Sequence, residues 1–190
     1  EKNELEPNGI VVEGTFGNTG IGLTLVNNAK GYRTIIVMPN ITVPAKRDIL
    51  RNMGAELHLV DPAPYSDEGN YQKVSQRLAE KLQQKEKVSV IWSGQFENEA
   101  NYKVHQETTA LEIFKQTNGA VDGFTCAIGT GGTLTGVSLG LKEKNSNIKI
   151  ACTDSQGSSM YNYFVKGITE KKGEPSITEG IGQARITKNL

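Results

Sequence analysis

A run of glycine and threonine near position 130 has the composition of an anion-binding loop. It consists of Gly129, Thr130, Gly131, Gly132 and Thr133. The mostly apolar stretch 121–128 before it predicts a buried strand, and the stretch 134–144 after it predicts a helix. A strand, a glycine turn and a helix in succession aim backbone N–H groups and the positive end of a helix dipole at one point. The run therefore predicts a phosphate site, and a tight turn without a ligand is the alternative.

Two common phosphate signatures are excluded at this run. A P-loop requires a lysine and then serine or threonine after its last glycine, but Thr133 and Leu134 follow Gly132. A dinucleotide-binding fingerprint would need glycine at position 134. The loop therefore favours a phosphate monoester over a nucleotide.

The rest of the chain alternates predicted strands with predicted helices. The strands are expected over 9–13, 34–38, 56–60, 88–92, 121–128 and 148–152, and the helices over 21–30, 45–53, 71–86, 100–116 and 134–144. The helix over 100–116 is expected to bury Val104, Leu111 and Phe114. Such alternation is typical of a layered α/β fold with parallel strands. The glycine-punctuated tail, 157–182, gives no clear pattern.

Two further polar loops follow predicted strands, at 15–19 and 95–98. In parallel sheets, ligands bind at the carboxyl ends of the strands. We therefore expect these two loops and the loop at 129–133 to contribute to one binding site.

Composition excludes several classes of function. Lys and Arg total 21 and Asp and Glu total 21, which gives no basic footprint for nucleic acid. His58 and His105 have no partners at metal-ligand spacing, so no metal site is predicted. Cys126 and Cys152 lie in apolar runs and are expected to be reduced core residues. No apolar run approaches the roughly 18 residues of a transmembrane helix.

Four blocks of sequence together resemble one enzyme family. They are 13–22 (EGTFGNTGIG), 95–98 (QFEN) with His105, Thr108, Thr109, Glu112 and Ile113 after it, 129–136 (GTGGTLTG) and 179–182 (EGIG). In this order they resemble the pyridoxal-phosphate-dependent cysteine synthases over nearly the whole chain. The stretch 179–190 is most similar to the fungal mitochondrial-type branch.

The resemblance implies an α/β fold of the tryptophan-synthase-β-like kind, fold type II, with three-layer, Rossmann-like, mostly parallel sheets in two lobes. It places a smaller substrate-loop lobe at 1–97 and part of a larger phosphate-binding lobe at 98–190. It also implies a homodimer and an intracellular location, with the mitochondrion favoured over the cytoplasm.

The same resemblance assigns roles to individual residues. The cofactor pyridoxal 5'-phosphate would be held by Asn18 at its 3-hydroxyl, by Gly182 beside its face, and by Gly129, Thr130, Gly131, Gly132 and Thr133 at its phosphate. The α-carboxylate of the amino-acid substrate would be bound by Thr15, Gly17, Thr19 and Gln95.

The implied reaction is β-replacement, in which O-acetylserine and sulfide give cysteine and acetate. Two alternatives stay open: condensation of serine with homocysteine, and a non-catalytic homologue that acts as a binding or structural partner.

The match has gaps and one departure. The family's Schiff-base lysine is expected upstream of Glu1, so no catalytic residue is predicted within the segment, and a serine for the pyridine nitrogen is expected beyond Leu190. Lys46 is expected to be an exposed helix residue and no substitute for that lysine. Phe16 occupies a position where the family usually has serine, and its ring is expected to narrow the substrate site.

Overall fold

The computed structural model describes residues 5–169, 178 and 180–190. The chain divides into two compact units, Glu1–Gly94 and Gln95–Leu190, which we call the first and second units. Each unit is described below by itself.

The first unit is a four-stranded parallel sheet with helices between its strands. Its elements are β1 (Ile10–Gly14), α1 (Asn18–Lys30), β2 (Arg33–Pro39), α2 (Pro44–Asn52), β3 (Glu56–Val60), α3 (Tyr71–Lys85) and β4 (Val90–Trp92). The strand order is β3-β2-β1-β4, and all neighbouring strands are parallel. Both β1 and β2 are central and almost entirely buried, which explains their continuous apolar sequences.

Both faces of this sheet pack against apolar side chains. One cluster contains Ile10, Val12, Ile35, Ala79 and Val90. The other contains Ile36, Met38, Leu50 and Ala55. Neighbouring residues of β2 therefore contribute to opposite clusters, as expected from the two-residue period of a strand.

The second unit contains a two-stranded parallel sheet and a long helical segment. The elements are α4 (Ala100–Val104), a π-helical segment (His105–Thr109), α5 (Ala110–Gln116), β5 (Gly123–Ala127), α6 (Gly132–Lys144), β6 (Lys149–Thr153) and α7 (Met160–Lys166). The predicted helices and strands are confirmed, apart from small differences at their ends. The helix α7 was not predicted.

The predicted buried face of the helix over 100–116 is wrong for Val104 and Leu111, which are 50% and 43% exposed. Phe114 packs against an apolar cluster, as predicted, and Ala110 is fully buried. A π-helical segment widens the turn between α4 and α5 and shifts the angular position of every later residue. A reading with a uniform period of 3.6 residues cannot anticipate that shift.

The small side chains of α6 explain why Ala110 lies inside. A Cβ added to Gly140 would lie 2.5 Å from the Cβ of Ala110, and one added to Gly136 would lie 2.7 Å from the Cβ of His105. Glycine at these positions lets the backbone of α6 lie directly against the helical segment 100–116. Leu134, Val137 and Leu141 of α6 are buried, as their helical spacing suggests.

The expectation of a buried strand over 121–128 holds for one face only. Phe124 and Cys126 pack into apolar clusters, whereas Thr125 is exposed and hydrogen-bonds the Thr153 hydroxyl at 3.0 Å. The described helices pack against one side of this two-stranded sheet, so its side chains alternate between covered and exposed. Cys126 and Cys152 are free thiols in register on the two strands, and burial raises the pKa of both.

Gly136→Ala is predicted to destabilise the full-length protein, because its Cβ would overlap the neighbouring helix backbone. The expected loss is about 1–3 kcal/mol in the free energy of unfolding. Gly22→Ala is the control, since Gly22 is an exposed glycine of helix α1 and a Cβ there meets nothing within 4 Å. That control should be neutral or gain roughly 0.5–1 kcal/mol. Urea unfolding measures both, and equal midpoints for the two variants would contradict the packing account.

Candidate functional site

The first polar loop joins β1 to α1 in the first unit. The backbone N–H of Thr15 donates to the carbonyl of Val37 at 3.0 Å, and the Thr15 hydroxyl accepts from the N–H of Gly17 at 3.1 Å. Gly17 has a φ of 135°, which favours glycine. The helix α1 then starts at Asn18 without a side-chain cap. Thr15, Gly17, Asn18 and Thr19, which were predicted to contact substrate and cofactor, therefore belong to one turn at a helix N-terminus.

Phe16 packs against another part of the first unit. Its ring meets that of Tyr71 edge to face, with centroids 5.1 Å apart and an interplanar angle of 79°. Tyr71 is the first residue of α3, so the aromatic pair ties the loop to that helix. The half-buried phenyl ring is thus held beside Gly17 in place of the small hydroxyl that serine would supply.

Lys46 was predicted to be an exposed helix residue, but the structure shows it half-buried. Its Cδ lies 2.8 Å from the position that a Cβ on Gly17 would take. The helix α2 starts at Pro44, and α1 and α2 are in contact, so the first turn of α2 lies beside the loop. Gly17 is therefore required both by its backbone conformation and by the stem of Lys46.

Glu13 is a buried carboxylate that the sequence reasoning missed. It is 1% exposed, and the hydroxyl of Ser93 donates to its Oε2. The N–H of Ser93 also donates to the carbonyl of Val12 at 3.0 Å. These bonds link Ser93, directly after β4, to Val12 and Glu13 of β1. The available signal was an acidic residue at the end of an otherwise apolar strand.

The second loop lies at the N-terminus of α6 in the second unit. Gly131 has a left-handed conformation with a φ of 96° and forms the N-cap, and no side chain caps the helix. The first N–H groups of a helix lack partners within the helix, and the helix dipole places partial positive charge there. Gly129 to Thr133 thus have the geometry of an anion-binding turn.

The three glycines of the loop lie against other segments of the second unit. A Cβ on Gly129 would lie 2.6 Å from the carbonyl oxygen of Gly180, and one on Gly131 would lie 2.6 Å from that of Asn189. A Cβ on Gly132 would collide with the side chain of Asn101. The glycines therefore allow other segments of the same unit to approach the loop closely.

The segment 180–190 lies along the loop. The N–H of Gly182 donates to the carbonyl of Ile128 at 2.8 Å, and the side-chain amide of Gln183 donates to that of Gly129 at 2.9 Å. The hydroxyl of Thr187 donates to the Thr130 carbonyl at 2.6 Å. Gly182 thus lies next to the loop. Glu179, which belongs to the same sequence block, lies outside the described residues.

Gln95 lies in the second unit and is connected to the same loop. Its carbonyl accepts from the side-chain amides of Asn101 at 2.9 Å and Asn189 at 3.0 Å. Asn101 also donates to the hydroxyl of Thr130 at 2.9 Å. Asn101 and Asn189 were not predicted, because single asparagines in polar stretches carry no sequence signal of their own.

The residues after Gln95 are held by the segment 180–190. The Arg185 guanidinium pairs with the Glu97 carboxylate at 2.7 Å, and both side chains are largely buried. The same guanidinium lies 5.4 Å from the ring centre of Phe96, in cation–π range. These contacts fix the start of the loop 95–98 against the part of the chain that also contacts Gly129 and Thr130.

His105 has a polar environment that explains it without a metal. Its Nε2 lies 3.2 Å from the Thr133 hydroxyl, and its Nδ1 lies 3.0 Å from the Thr109 hydroxyl. Within residues 5–169, 178 and 180–190, no group of three or more His, Cys, Asp or Glu could hold a metal ion. In the same part of the chain, no helix has the length and apolar character to cross a bilayer.

The donors in the second unit suit a phosphate monoester. An uncapped helix of 13 residues supplies N–H groups, and Thr130 and Thr133 supply hydroxyls. The turn from Thr15 to Thr19 in the first unit supplies the clustered donors that a carboxylate needs. The first unit thus brings together Thr15, Gly17, Asn18 and Thr19, and the second unit brings together Gln95, Gly129 to Thr133 and Gly182.

Comparisons with known proteins identify the family. The family model described as pyridoxal-phosphate dependent enzyme matches residues 1–190. The chain is 47% identical over 193 residues to cysteine synthase 1 of Neurospora crassa, covering 100% of this chain and 50% of that protein. It is 41% identical over 197 residues to the "Putative mitochondrial cysteine synthase" of Saccharomyces cerevisiae, covering 96% of this chain and 49% of that protein. The chain thus spans about half the length of the curated relatives it matches.

Solved structures show the same fold. A crystal structure of O-ureido-L-serine synthase has a TM-score of 0.84 at 30% identity, covering 100% of this chain and 55% of that chain. A hydrogen sulfide-producing enzyme from Fusobacterium nucleatum has a TM-score of 0.81 at 34% identity, covering 99% of this chain and 59% of that chain. The predicted α/β architecture of fold type II is confirmed. The chain belongs to the family of pyridoxal-phosphate-dependent enzymes whose members include the fungal cysteine synthases.

Proposed function

We propose that the full-length protein is a cysteine synthase that converts O-acetylserine and sulfide into cysteine and acetate. The observation that carries this proposal is the donor-rich N-terminus of α6, joined through Asn101 to Gln95. This arrangement suits a phosphorylated cofactor bound close to a residue that contacts substrate. The similarity to the fungal enzymes supports the choice of reaction.

In this proposal, the second unit holds the phosphate of pyridoxal 5'-phosphate. Gly129 to Thr133 direct N–H groups and two hydroxyls at the phosphate, and Gly182 lies beside the cofactor face. When bound, the cofactor withdraws electrons from the α-carbon of the amino acid. Gln95 contributes its side chain to binding of the substrate carboxylate.

The first unit supplies the remaining contacts. Asn18 donates to the 3-hydroxyl of the cofactor, and Thr15, Gly17 and Thr19 bind the carboxylate through N–H and O–H groups at the start of α1. Such charge-assisted hydrogen bonds fix the orientation of the amino acid. We further propose that the two units belong to the smaller and larger catalytic lobes, with the lobe boundary near 97.

A second candidate function is favoured by one observation. Phe16 replaces a small hydroxyl residue, and its ring is fixed against Tyr71. This substitution supports either another amino-acid pair, such as serine with homocysteine, or a homologue that has lost activity. We also propose a homodimer and a mitochondrial location, the latter supported by the name of the Saccharomyces cerevisiae relative.

Gly131→Ala is predicted to weaken binding of pyridoxal phosphate to the full-length protein about tenfold or more. The added Cβ would meet the carbonyl of Asn189 and displace the N-terminus of α6. Gly31→Ala is the matched control: Gly31 also has a positive φ, of 73°, but open space around it. Equilibrium titration of the apoprotein measures both affinities, and equal values would exclude the α6 N-terminus as the phosphate site.

Phe16→Ser is predicted to raise kcat/KM of the full-length protein for O-acetylserine about tenfold, because it restores a hydroxyl donor for a charged carboxylate. Phe164→Ser is the control, since Phe164 is an exposed phenylalanine of α7. Steady-state assays with O-acetylserine and sulfide measure the rates.

Unchanged kcat/KM for Phe16→Ser would remove Phe16 from the specificity argument. Wild-type and Phe16→Ser proteins that both bind the cofactor but make no cysteine would contradict the proposed reaction.

A further inference from the structure

We propose that Asn101 is a positioning residue that sets the hydrogen-bond direction of Thr130 and thereby turns the Thr130 hydroxyl into a donor for the cofactor phosphate. This inference rests on the proposed function and concerns the same site. It assigns a role to a side chain that touches neither cofactor nor substrate in the proposed function.

The orientation of the Asn101 side chain is fixed by its surroundings. Its Nδ2 lies 2.9 Å from the carbonyl oxygen of Gln95. A backbone carbonyl can only accept a hydrogen bond, so the group that faces it must be the NH₂ and cannot be the amide oxygen. The opposite side of the amide, Oδ1, packs against Gly132, where a Cβ would collide with it.

This orientation determines what the Thr130 hydroxyl can do. The same Nδ2 lies 2.9 Å from Thr130 Oγ1, and an amide N–H can only donate. The N–H of Gly132 approaches the same oxygen at 3.4 Å. With both lone pairs facing donors, the Thr130 hydroxyl keeps its own proton for an acceptor.

The backbone of Thr130 is fixed independently of Asn101. Its carbonyl accepts from the Thr187 hydroxyl at 2.6 Å, and Thr187 in turn accepts from the N–H of Asn189 at 3.2 Å. Both residues are buried. Loss of the Asn101 amide would therefore change the direction of the hydroxyl proton and leave the loop backbone held.

Asn101 also donates a hydrogen bond to the Gln95 carbonyl, but it is not the only side chain that does so. The Gln95 carbonyl receives a second hydrogen bond from the fully buried Asn189 at 3.0 Å. Gln95 keeps this bond when Asn101 is replaced. The effect of Asn101 on the phosphate end should consequently exceed its effect on the substrate end.

The test compares two ligands of the full-length apoprotein: pyridoxal phosphate and pyridoxal, which lacks the phosphate. Asn101→Ala is expected to weaken pyridoxal phosphate binding about tenfold, the value of one hydrogen bond to a charged group, and to change pyridoxal binding less than about twofold. In a Thr130→Val background, Asn101→Ala should have no further effect on the ratio of the two affinities, since the hydroxyl through which it acts is gone.

Asn28→Ala is the matched control, because Asn28 donates its side-chain amide to a backbone carbonyl, that of Met53, at 2.8 Å in the first unit. It should leave both affinities unchanged. Equal weakening of both ligands by Asn101→Ala, or the same effect with and without the Thr130 hydroxyl, would overturn the inference in favour of a purely structural role. A wild-type protein that does not prefer pyridoxal phosphate to pyridoxal would overturn the proposed function, and this inference with it.

Discussion

The second unit depends on the close approach of the helical segment 100–116 to one face of α6. Gly132, Gly136 and Gly140 are four residues apart and meet Asn101, His105 and Ala110 in turn. Any side chain on these glycines would separate the helices and move the N-terminus of α6. Close contact places Asn101 beside Thr130 and His105 beside Thr133. The glycines that let the helices pack therefore also determine the partners of the Thr130 and Thr133 hydroxyls.

In the first unit, a buried carboxylate fixes the start of the loop after β1. Glu13 is held by Ser93 at the end of β1, and the chain then turns through Thr15 and Gly17 into α1. Burial of a carboxylate costs free energy unless the group is hydrogen-bonded. The bond from Ser93 to Glu13 therefore holds the ends of β1 and β4 together. Lys46 of α2 packs beside Gly17, and Tyr71 of α3 packs against Phe16 of the same turn. The conformation of this turn consequently depends on side chains of both helices.

The sequence could predict the fold because each strand and most helices have a local signal, such as Gly31 in the left-handed conformation at the end of α1. The glycine turns could be predicted for the same reason. Asn101 and Asn189 could not, since their importance comes from tertiary contacts with Gln95. The exposure of Leu111 also escaped prediction, because the π-helical segment before it breaks the period on which such predictions depend.

The central claim is that the N-terminus of α6 and its two threonines hold the cofactor phosphate as a dianion. Phosphorus NMR of the full-length protein with bound pyridoxal phosphate tests this claim most directly. A free phosphate monoester titrates at about pH 6. Hydrogen bonds to the charged form lower a pKa, so the bound phosphate should keep one chemical shift from about pH 6 to about pH 8. A bound phosphate that titrates like the free cofactor would contradict the claim.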